Sequence, residues 1–177
     1  MRLFVGMTLP ASALPTIRQA SAPLVDALGI KMVAPENLHL TLKFIGDADE
    51  GTAKRIEEAL GAVNFQKFSV LLSGAGAFPN EHFPRAIWIG GKSDGAEKLA
   101  ARIEGALSFL PLKKEKFAVH LTVARAPKSV GDIEDFLVKN REKEICTFTV
   151  SSFRLIKSRL TPVGPIYEVI KEYPANE

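Results

Sequence analysis

The chain has 177 residues, of which 46% are hydrophobic, enough for one domain with a substantial buried core. No apolar run approaches the roughly 18 residues of a membrane-spanning helix, so we expect a soluble protein. The formal net charge of +3 suits an anionic substrate but is too small to indicate a protein that coats nucleic acid. The single cysteine, Cys146, excludes an internal disulfide and fits a reducing cytoplasm.

Hydrophobic periodicity predicts strands and helices that alternate along the chain. The predicted strands are residues 2–8, 37–45, 66–73, 86–90, 117–124, 146–157 and 166–171. The predicted helices are residues 11–28, 50–62, 94–109 and about 131–139. Trp88 alternates with Ala86 and Gly90 within a strand, and we expect it to lie in the core.

Two of the three histidines lie in the same short pattern, in which a threonine follows the histidine at the second position. The first copy is His39-Leu40-Thr41-Leu42 and the second is His120-Leu121-Thr122-Val123. Because side chains alternate between the faces of a strand, each histidine shares one face with its threonine, and the apolar residues face the other way. The third histidine, His82, lies in a loop without this pattern, and we expect it to be exposed and incidental.

The order of elements around the two histidines indicates an internal duplication. Residues 2–6 resemble residues 85–90, and each segment precedes its histidine by about 35 residues. Residues 68–70, Phe-Ser-Val, likewise resemble residues 148–150, Phe-Thr-Val. Each half then reads strand, helix, histidine strand, helix, strand, which is the order expected of a repeated unit.

A repeat with pseudo-twofold symmetry would bring the two histidine strands face to face across a central cleft. We expect one two-lobed domain over residues 1–177, with repeat halves of approximately 1–80 and 81–177. Two imidazoles in one cleft suit chemistry on a phosphate, which needs a base on one side of phosphorus and an acid on the other. The histidine pKa near 6.5 allows one copy to be neutral and the other protonated.

Hydroxyl groups and two cations supply contacts for a phosphate. Thr41 and Thr122 can hold its oxygens and stabilise developing charge. Lys43 lies two residues beyond the first threonine, and strict alternation points it into the cleft. Arg125 offers a forked contact to phosphate, but strict alternation places it on the face away from the second histidine. Its use therefore requires the strand to end or twist near that point.

Several other chemistries lack their motifs in this chain. It has no Walker sequence, no Gly-x-Ser-x-Gly elbow and no His-Glu-x-x-His. Three scattered histidines and one cysteine form no local metal-ligand cluster, which leaves open only a site assembled in space with carboxylates. We expect metal-independent catalysis without a cofactor.

The paired His-x-Thr-x motifs resemble those of the two-histidine phosphoesterases. More closely, the whole chain resembles the bacterial and archaeal RNA 2′,3′-cyclic phosphodiesterases, also called 2′-5′ RNA ligases. The segments that carry this resemblance are residues 2–5, 37–46, 78–79, 85–88, 120–125 and 158–167.

This resemblance implies a two-lobed α+β fold, with two antiparallel sheets flanked by helices. It implies hydrolysis of the 2′,3′-cyclic phosphate of an RNA or nucleotide to a 2′-phosphate. It further implies that His39 donates a proton to the departing 3′ oxygen and that His120 accepts a proton from water. Thr41 and Thr122 would bind phosphate oxygens, with help from Arg125. The reverse reaction would join the cyclic end to a 5′-hydroxyl through a 2′-5′ linkage.

Two other functions remain open from the sequence. One is a module that binds a nucleotide or RNA terminus without turnover. The other is a phosphodiesterase for a different cyclic phosphate or for a 2′-5′ oligonucleotide. Intact histidine and threonine in both copies favour an enzyme, because binding alone could use arginine and lysine. We expect the protein to act as a cytoplasmic monomer that does not engage membranes.

Overall fold

The computed structural model describes residues 1–127, 132–162 and 164–176 as an antiparallel sheet with helices packed against it. Its strands are β1 (Arg2–Thr8), β2 (Lys31–Met32), β3 (His39–Asp47), β4 (Phe68–Phe78), β5 (Ala86–Lys92), β6 (His120–Arg125), β7 (Glu144–Val150), β8 (Ser152–Thr161) and β9 (Gly164–Pro174). Its α-helices are α1 (Leu14–Ser21), α2 (Glu50–Gly61), α3 (Asp94–Ala106) and α4 (Glu134–Asn140). No described helix is long and apolar enough to cross a membrane.

The first helix is shorter than predicted, whereas the next two are close to their predicted bounds. The prediction joined residues 11–28, but the α-helix ends at Ser21 and continues only as a 3₁₀ turn over Ala22–Leu24. Pro23 explains this end, because its ring and missing N–H are incompatible with a helix interior. Gly131, at the predicted start of the last helix, lies outside the described residues.

Capping side chains start α2 and α3, and apolar stripes hold both helices on the sheet. The Asp49 carboxylate accepts the backbone N–H of Thr52 at 2.7 Å, and the Ser93 hydroxyl oxygen accepts that of Ala96 at 3.2 Å. The buried residues of these helices join one continuous core with alternate residues of the strands. They are Ala53, Ile56 and Leu60 of α2, and Ala96, Leu99, Ala100 and Ile103 of α3.

The strands follow the order β7-β4-β5-β6-β3-β1-β8-β9, with β2 beside β6. This order is symmetric about the junction between the two histidine strands, β3 and β6. Each of them is flanked by the first strand of its own half, β1 or β5, and beyond that by a strand from the other half, β8 or β4. The mixed α+β class with pseudo-twofold duplication is confirmed. The boundary near residue 80 stays a prediction.

The two expected sheets are joined into one by a short contact. The hydrogen-bonded pairing of β3 with β6 has a single register pair, Leu40 with Leu121. On one side of this pair the two strands separate, and on the other side β2 fills the space next to β6. The junction is therefore the narrowest point of the sheet and lies within both histidine motifs.

The predicted strand over residues 146–157 is two strands: β7 is at one end of the sheet order, and β8 is next to the last strand at the other end. Only Ser151 separates β7 from β8, so the sheet must curl until its two ends approach each other. One expected repeat match is wrong for the same reason. Residues 68–70 and 148–150 are not equivalent positions but direct neighbours, paired across β4 and β7. The symmetric counterpart of β4 is β8.

Helices cover one face of the curled sheet, and the other face carries the polar motif residues. In β1, Leu3, Val5 and Met7 are buried in the core. Phe4 and Gly6 lie on the opposite face, where a Cβ on Gly6 would approach the ring of His39. The sequence therefore provides one apolar face for the helices and one face for a site.

Candidate active site

The two histidine strands run antiparallel at the centre of the sheet. Because Leu40 pairs with Leu121, each histidine lies beside the threonine of the other strand. Thr41 and His120 accordingly line the same depression. The two imidazoles are close enough to interact electrostatically, because a positive charge on His120 lowers the pKa of His39.

The predicted division of faces within both motifs is confirmed. Leu40, Leu42, Leu121 and Val123 are at most 5% exposed and belong to the core. The histidines and threonines between them are half-buried on the other face. The structure thus brings together His39, Thr41, His120 and Thr122, as the spacing predicted.

A backbone carbonyl fixes the orientation of each imidazole. The Nδ1 of His39 lies 2.7 Å from the carbonyl oxygen of Asn37, and the Nδ1 of His120 lies 2.9 Å from that of Ala118. A carbonyl oxygen can only accept a hydrogen bond, so Nδ1 carries the proton in both rings. In the neutral ring Nε2 is then free to accept a proton, and in the charged ring it can donate one.

The surroundings of His39 are aromatic. The ring of Phe4 lies 4.8 Å from the imidazole, and the ring of Tyr167 lies 5.2 Å away at an interplanar angle of 89°. Burial lowers the pKa of His39 below its usual value of 6.5, although the hydrogen bond to the carbonyl of Asn37 acts in the opposite direction. The nearby charge of Arg125 lowers it further.

A β-bulge brings Arg125 onto the face of the histidines. Val123 and Ala124 are successive residues of β6, yet both are buried, at 2% and 0% exposed. The register with β5 skips Val123, so residues beyond it have the opposite orientation from strict alternation. Arg125 therefore shares the face of His120, and its charge acts on His39. The bulge is therefore the change in strand geometry that a phosphate contact by Arg125 requires.

A matching bulge in β3 turns Lys43 to the core-facing side of its strand, where strict alternation had pointed it into the cleft; its role in binding phosphate stays a prediction. The register with β1 skips Leu42, and Lys43 pairs with Val5 on the core-facing side. Lys43 is only 9% exposed. Its ammonium donates to the carbonyl oxygen of Lys113 at 2.9 Å and lies 3.5 Å from the Glu104 carboxylate. Its charge is therefore engaged by these partners.

The His120 side of the cleft opens into a depression between β3 and the segment that precedes β6. Its lining includes Thr41, Phe44 and Phe117, and on the side of α3 it includes Lys43 and Glu104. Phe44 follows the bulge of β3 and pairs with Phe4 on the cleft face. Its side chain is 62% exposed, which leaves an aromatic surface beside the second histidine.

Besides Phe4 and Phe44, two more aromatic residues lie in the cleft where the sequence prediction did not place them, Trp88 and Tyr167. Trp88 pairs with Thr122 and lies on the cleft face over Gly76 and Gly90, so the expectation of a core position is wrong. A side chain on Gly76 would overlap the indole. Tyr167 comes from β9, and its only signal was its place in the segment over residues 158–167 that carries the family resemblance.

Two further sequence-based expectations concern His82 and a metal site. His82 is exposed in the loop between β4 and β5, as expected. Among residues 1–127, 132–162 and 164–176, no group of three or more histidine, cysteine, aspartate or glutamate side chains could hold a metal ion. Metal-independent catalysis remains a prediction.

Comparisons with known proteins agree with the resemblance in sequence. The family model described as LigT like Phosphoesterase matches residues 8–88. An RNA 2′,3′-cyclic phosphodiesterase of Archaeoglobus fulgidus is 38% identical, over 98% of this chain and 99% of the relative. One of Methanocaldococcus jannaschii is 35% identical, over 98% of this chain and all of the relative.

Solved structures share the fold over the whole chain. The Thermus thermophilus protein TT0787 superposes with a TM-score of 0.82 at 28% identity, covering 98% of this chain and 97% of that one. Escherichia coli LigT complexed with 3′-AMP has a TM-score of 0.81 at 23% identity, covering 99% and 98%, and shares the fold. With two full-length relatives above 30% identity, the chain belongs to the family of RNA 2′,3′-cyclic phosphodiesterases, the LigT-like phosphoesterases.

Proposed function

We infer that this protein hydrolyses the 2′,3′-cyclic phosphate at the end of an RNA or nucleotide and leaves a 2′-phosphate. The observation that carries the inference is the pair of imidazoles on neighbouring strands, each with Nδ1 held by a carbonyl and Nε2 without a hydrogen-bond partner among the described residues. Two such groups in one cleft can remove a proton on one side of phosphorus and deliver one on the other.

The reaction needs one proton transfer at each histidine. His120 Nε2 accepts a proton from water, and the oxygen of that water forms a bond to phosphorus. The bond from phosphorus to the 3′ oxygen breaks, and His39 Nε2 gives its proton to that oxygen. The division into acid and base comes from the family resemblance, because the two motifs are alike in sequence and in their carbonyl contacts.

The cleft face supplies the phosphate contacts. The hydroxyls of Thr41 and Thr122 flank the two imidazoles and can donate to the non-bridging oxygens. Arg125 can make a charge-assisted contact to the phosphate, because the bulge of β6 supports an orientation of its side chain towards the cleft. Lys43 is left out of this set, because Glu104 and the carbonyl of Lys113 hold its ammonium.

The depression next to His120 supports a place for the terminal base. Phe44 presents a largely exposed ring there, and aromatic side chains are common platforms for the bases of single-stranded nucleic acid. The same chemistry would give 2′-5′ ligation when a 5′-hydroxyl replaces water as the attacking group. We expect hydrolysis to dominate, because water is the more abundant nucleophile.

All the proposed site residues come from one chain, which supports a monomer as the active form. The lone thiol of Cys146 supports a reducing compartment, and we propose the cytoplasm. A size and mass measurement of the purified protein in solution would test the first proposal. A stable dimer whose dissociation abolished activity would contradict it.

The decisive experiment is incubation of the pure protein, in EDTA, with an oligoribonucleotide that ends in a 2′,3′-cyclic phosphate. We expect a 2′-phosphate product, identified by comparison with synthetic 2′- and 3′-phosphate standards. The double variant His39→Ala/His120→Ala, purified in parallel, controls for contaminating nucleases. A 3′-phosphate product would contradict the regiochemistry, and loss of activity in EDTA would contradict metal independence. Binding without turnover would favour the non-catalytic alternative.

A further inference from the structure

Tyr167 is a polar residue of the cleft that has no assigned role and contacts a histidine. Its ring lies 5.2 Å from the imidazole of His39 and 5.2 Å from the ring of Phe4, edge-on to both. It belongs to β9, at the far end of the strand order, and reaches His39 because the sheet curls. Asn37 Nδ2, just before β3, donates a hydrogen bond to the carbonyl oxygen of Pro165 at 3.5 Å. This bond connects the hairpin of β8 and β9 to the start of β3.

Two arginines, Arg2 and Arg125, one from each half of the chain, act on Tyr167 through their positive charge. Tyr167 pairs with Ser158, and Ser158 pairs with Arg2, so these three residues lie in one row on the same face. Arg125 lies on the cleft face of β6. Burial is the largest effect on the phenol and raises the pKa of Tyr167, whereas the charges of Arg125 and Arg2 act in the opposite direction. The phenol therefore stays protonated, as a donor, throughout the neutral range.

The hydroxyl of Tyr167 can donate a hydrogen bond to a ligand. It makes no hydrogen bond to any residue in the described part of the chain, and it is not among the buried polar atoms without a partner. It therefore faces solvent within the cleft. The other tyrosine, Tyr173, differs in this respect, because its hydroxyl donates to the carbonyl oxygen of Glu57 at 3.2 Å.

We propose that Tyr167 is a substrate-binding residue whose hydroxyl donates a hydrogen bond to a phosphate oxygen of the cyclic diester, on the His39 side of the cleft. This proposal rests on the proposed function. A neutral donor beside an imidazole, and within the field of Arg2 and Arg125, fits an anionic ligand because it adds a directed contact without a further charge. Negative charge grows on the phosphoryl oxygens as water attacks, so the contact is strengthened during the reaction.

The test compares Tyr167→Phe with Tyr173→Phe. Each change removes one hydroxyl and keeps the ring, and only Tyr167 is in the cleft. We expect Tyr167→Phe to lower kcat/KM for a 2′,3′-cyclic nucleotide about 10- to 100-fold, the range below the loss of a full oxyanion-hole donor. Binding of 2′-AMP, measured by calorimetry, should weaken about tenfold for the same reason. Tyr173→Phe should leave both quantities unchanged.

A third variant separates the hydroxyl from the ring. Tyr167→Leu removes both, so a loss confined to Tyr167→Leu, with Tyr167→Phe at the wild-type rate, would overturn the proposal and leave only support of the His39 ring. Unfolding curves of all variants identify any that fail to fold. If the wild-type protein binds 2′-AMP but hydrolyses no cyclic phosphate, the proposed function fails. The binding comparison then still decides whether Tyr167 donates to phosphate.

Discussion

The two histidines have the same local geometry and different surroundings. Each follows a carbonyl that holds its Nδ1, and each strand has a bulge at the fourth residue of the motif. His39, however, lies among Phe4, Tyr167 and the hairpin of β8 and β9, whereas His120 borders an open depression. The duplicated tetrapeptide thus fixes how an imidazole is presented, and the rest of the chain determines how each imidazole differs.

That difference fits a reaction with unlike steps on its two sides. An attacking water must approach phosphorus on the side opposite the departing 3′ oxygen, which is the His120 side if His39 is the acid. The departing 3′ oxygen remains attached to the nucleoside, so its acid can lie in a more enclosed place. The order of the two roles comes from the family resemblance and stays a prediction, because the symmetric motifs themselves do not specify it.

The largest effect should come from either histidine alone. We expect His39→Ala and His120→Ala each to lower kcat/KM by about 10²- to 10⁴-fold, because each removes one of the two proton transfers. His82→Ala removes an exposed histidine outside the cleft and serves as the matched control. Steady-state kinetics on a 2′,3′-cyclic nucleotide give the comparison. A single cleft variant at the wild-type rate would refute the two-histidine mechanism.

A substrate with sulfur in place of the 3′ oxygen should separate the two roles. A thiolate leaves without an acid, because the pKa of a thiol is about 8.5, far below that of an alcohol. We expect the defect of His39→Ala to shrink by at least about tenfold on this substrate, since the general acid is no longer needed. The defect of His120→Ala should persist. If the His120 variant is rescued instead, the acid and base are reversed.

The sequence specified the faces of the two motifs, but it did not reveal where each strand departs from alternation. The extra residues Leu42 and Val123 fit a regular strand pattern as apolar positions, so nothing in the sequence marked them as bulges. Each bulge reverses the orientation of the next residues in its strand: Arg125 turns into the cleft and Lys43 turns out of it. Tyr167 was unpredictable for another reason, because its contact with His39 depends on how the strands from β3 to β9 curl.

Arg125 and Lys43 test this difference between the bulged strands directly. We expect Arg125→Met to raise KM about tenfold or more, because it removes a charge-assisted hydrogen bond to phosphate. Lys43→Met should change KM less than about twofold, while lowering the free energy of unfolding by about 1–2 kcal/mol, since Glu104 keeps partial access to water. Kinetics and denaturant titration measure the two quantities. Equal increases in KM would restore Lys43 as a phosphate ligand.

Phe44 tests whether the open side of the cleft holds the base. Phe44→Ala should raise KM for a cyclic nucleotide about tenfold, through the loss of stacking on the base. Phe83→Ala is the matched control, because the two side chains are 62% and 64% exposed and Phe83 lies in the loop between β4 and β5. Ribose 2′,3′-cyclic phosphate has no base, so Phe44→Ala should leave its hydrolysis unchanged. A similar loss on that substrate would place the effect at the phosphate instead.

The smallest effect concerns the proton affinity of His39. NMR titration of the imidazole Cε1–H should give a pKa below 6.5 in the free protein, because burial disfavours the charged ring. Phe4→Leu, which removes an aromatic neighbour, should move that pKa towards 6.5. The unfolded chain binds more protons at this site between the lowered pKa and 6.5. The contribution of His39 to stability therefore increases as pH rises through that window and is complete above 6.5.

Ligand binding should reverse this shift. The negative charge of a bound 2′-nucleotide favours the protonated ring, so the pKa of His39 should rise when 2′-AMP is added. A general acid must be protonated when the substrate is in place, and this coupling would supply the proton at neutral pH even though the free imidazole is mostly neutral. A pKa of His39 that does not change with 2′-AMP would contradict its role as the acid.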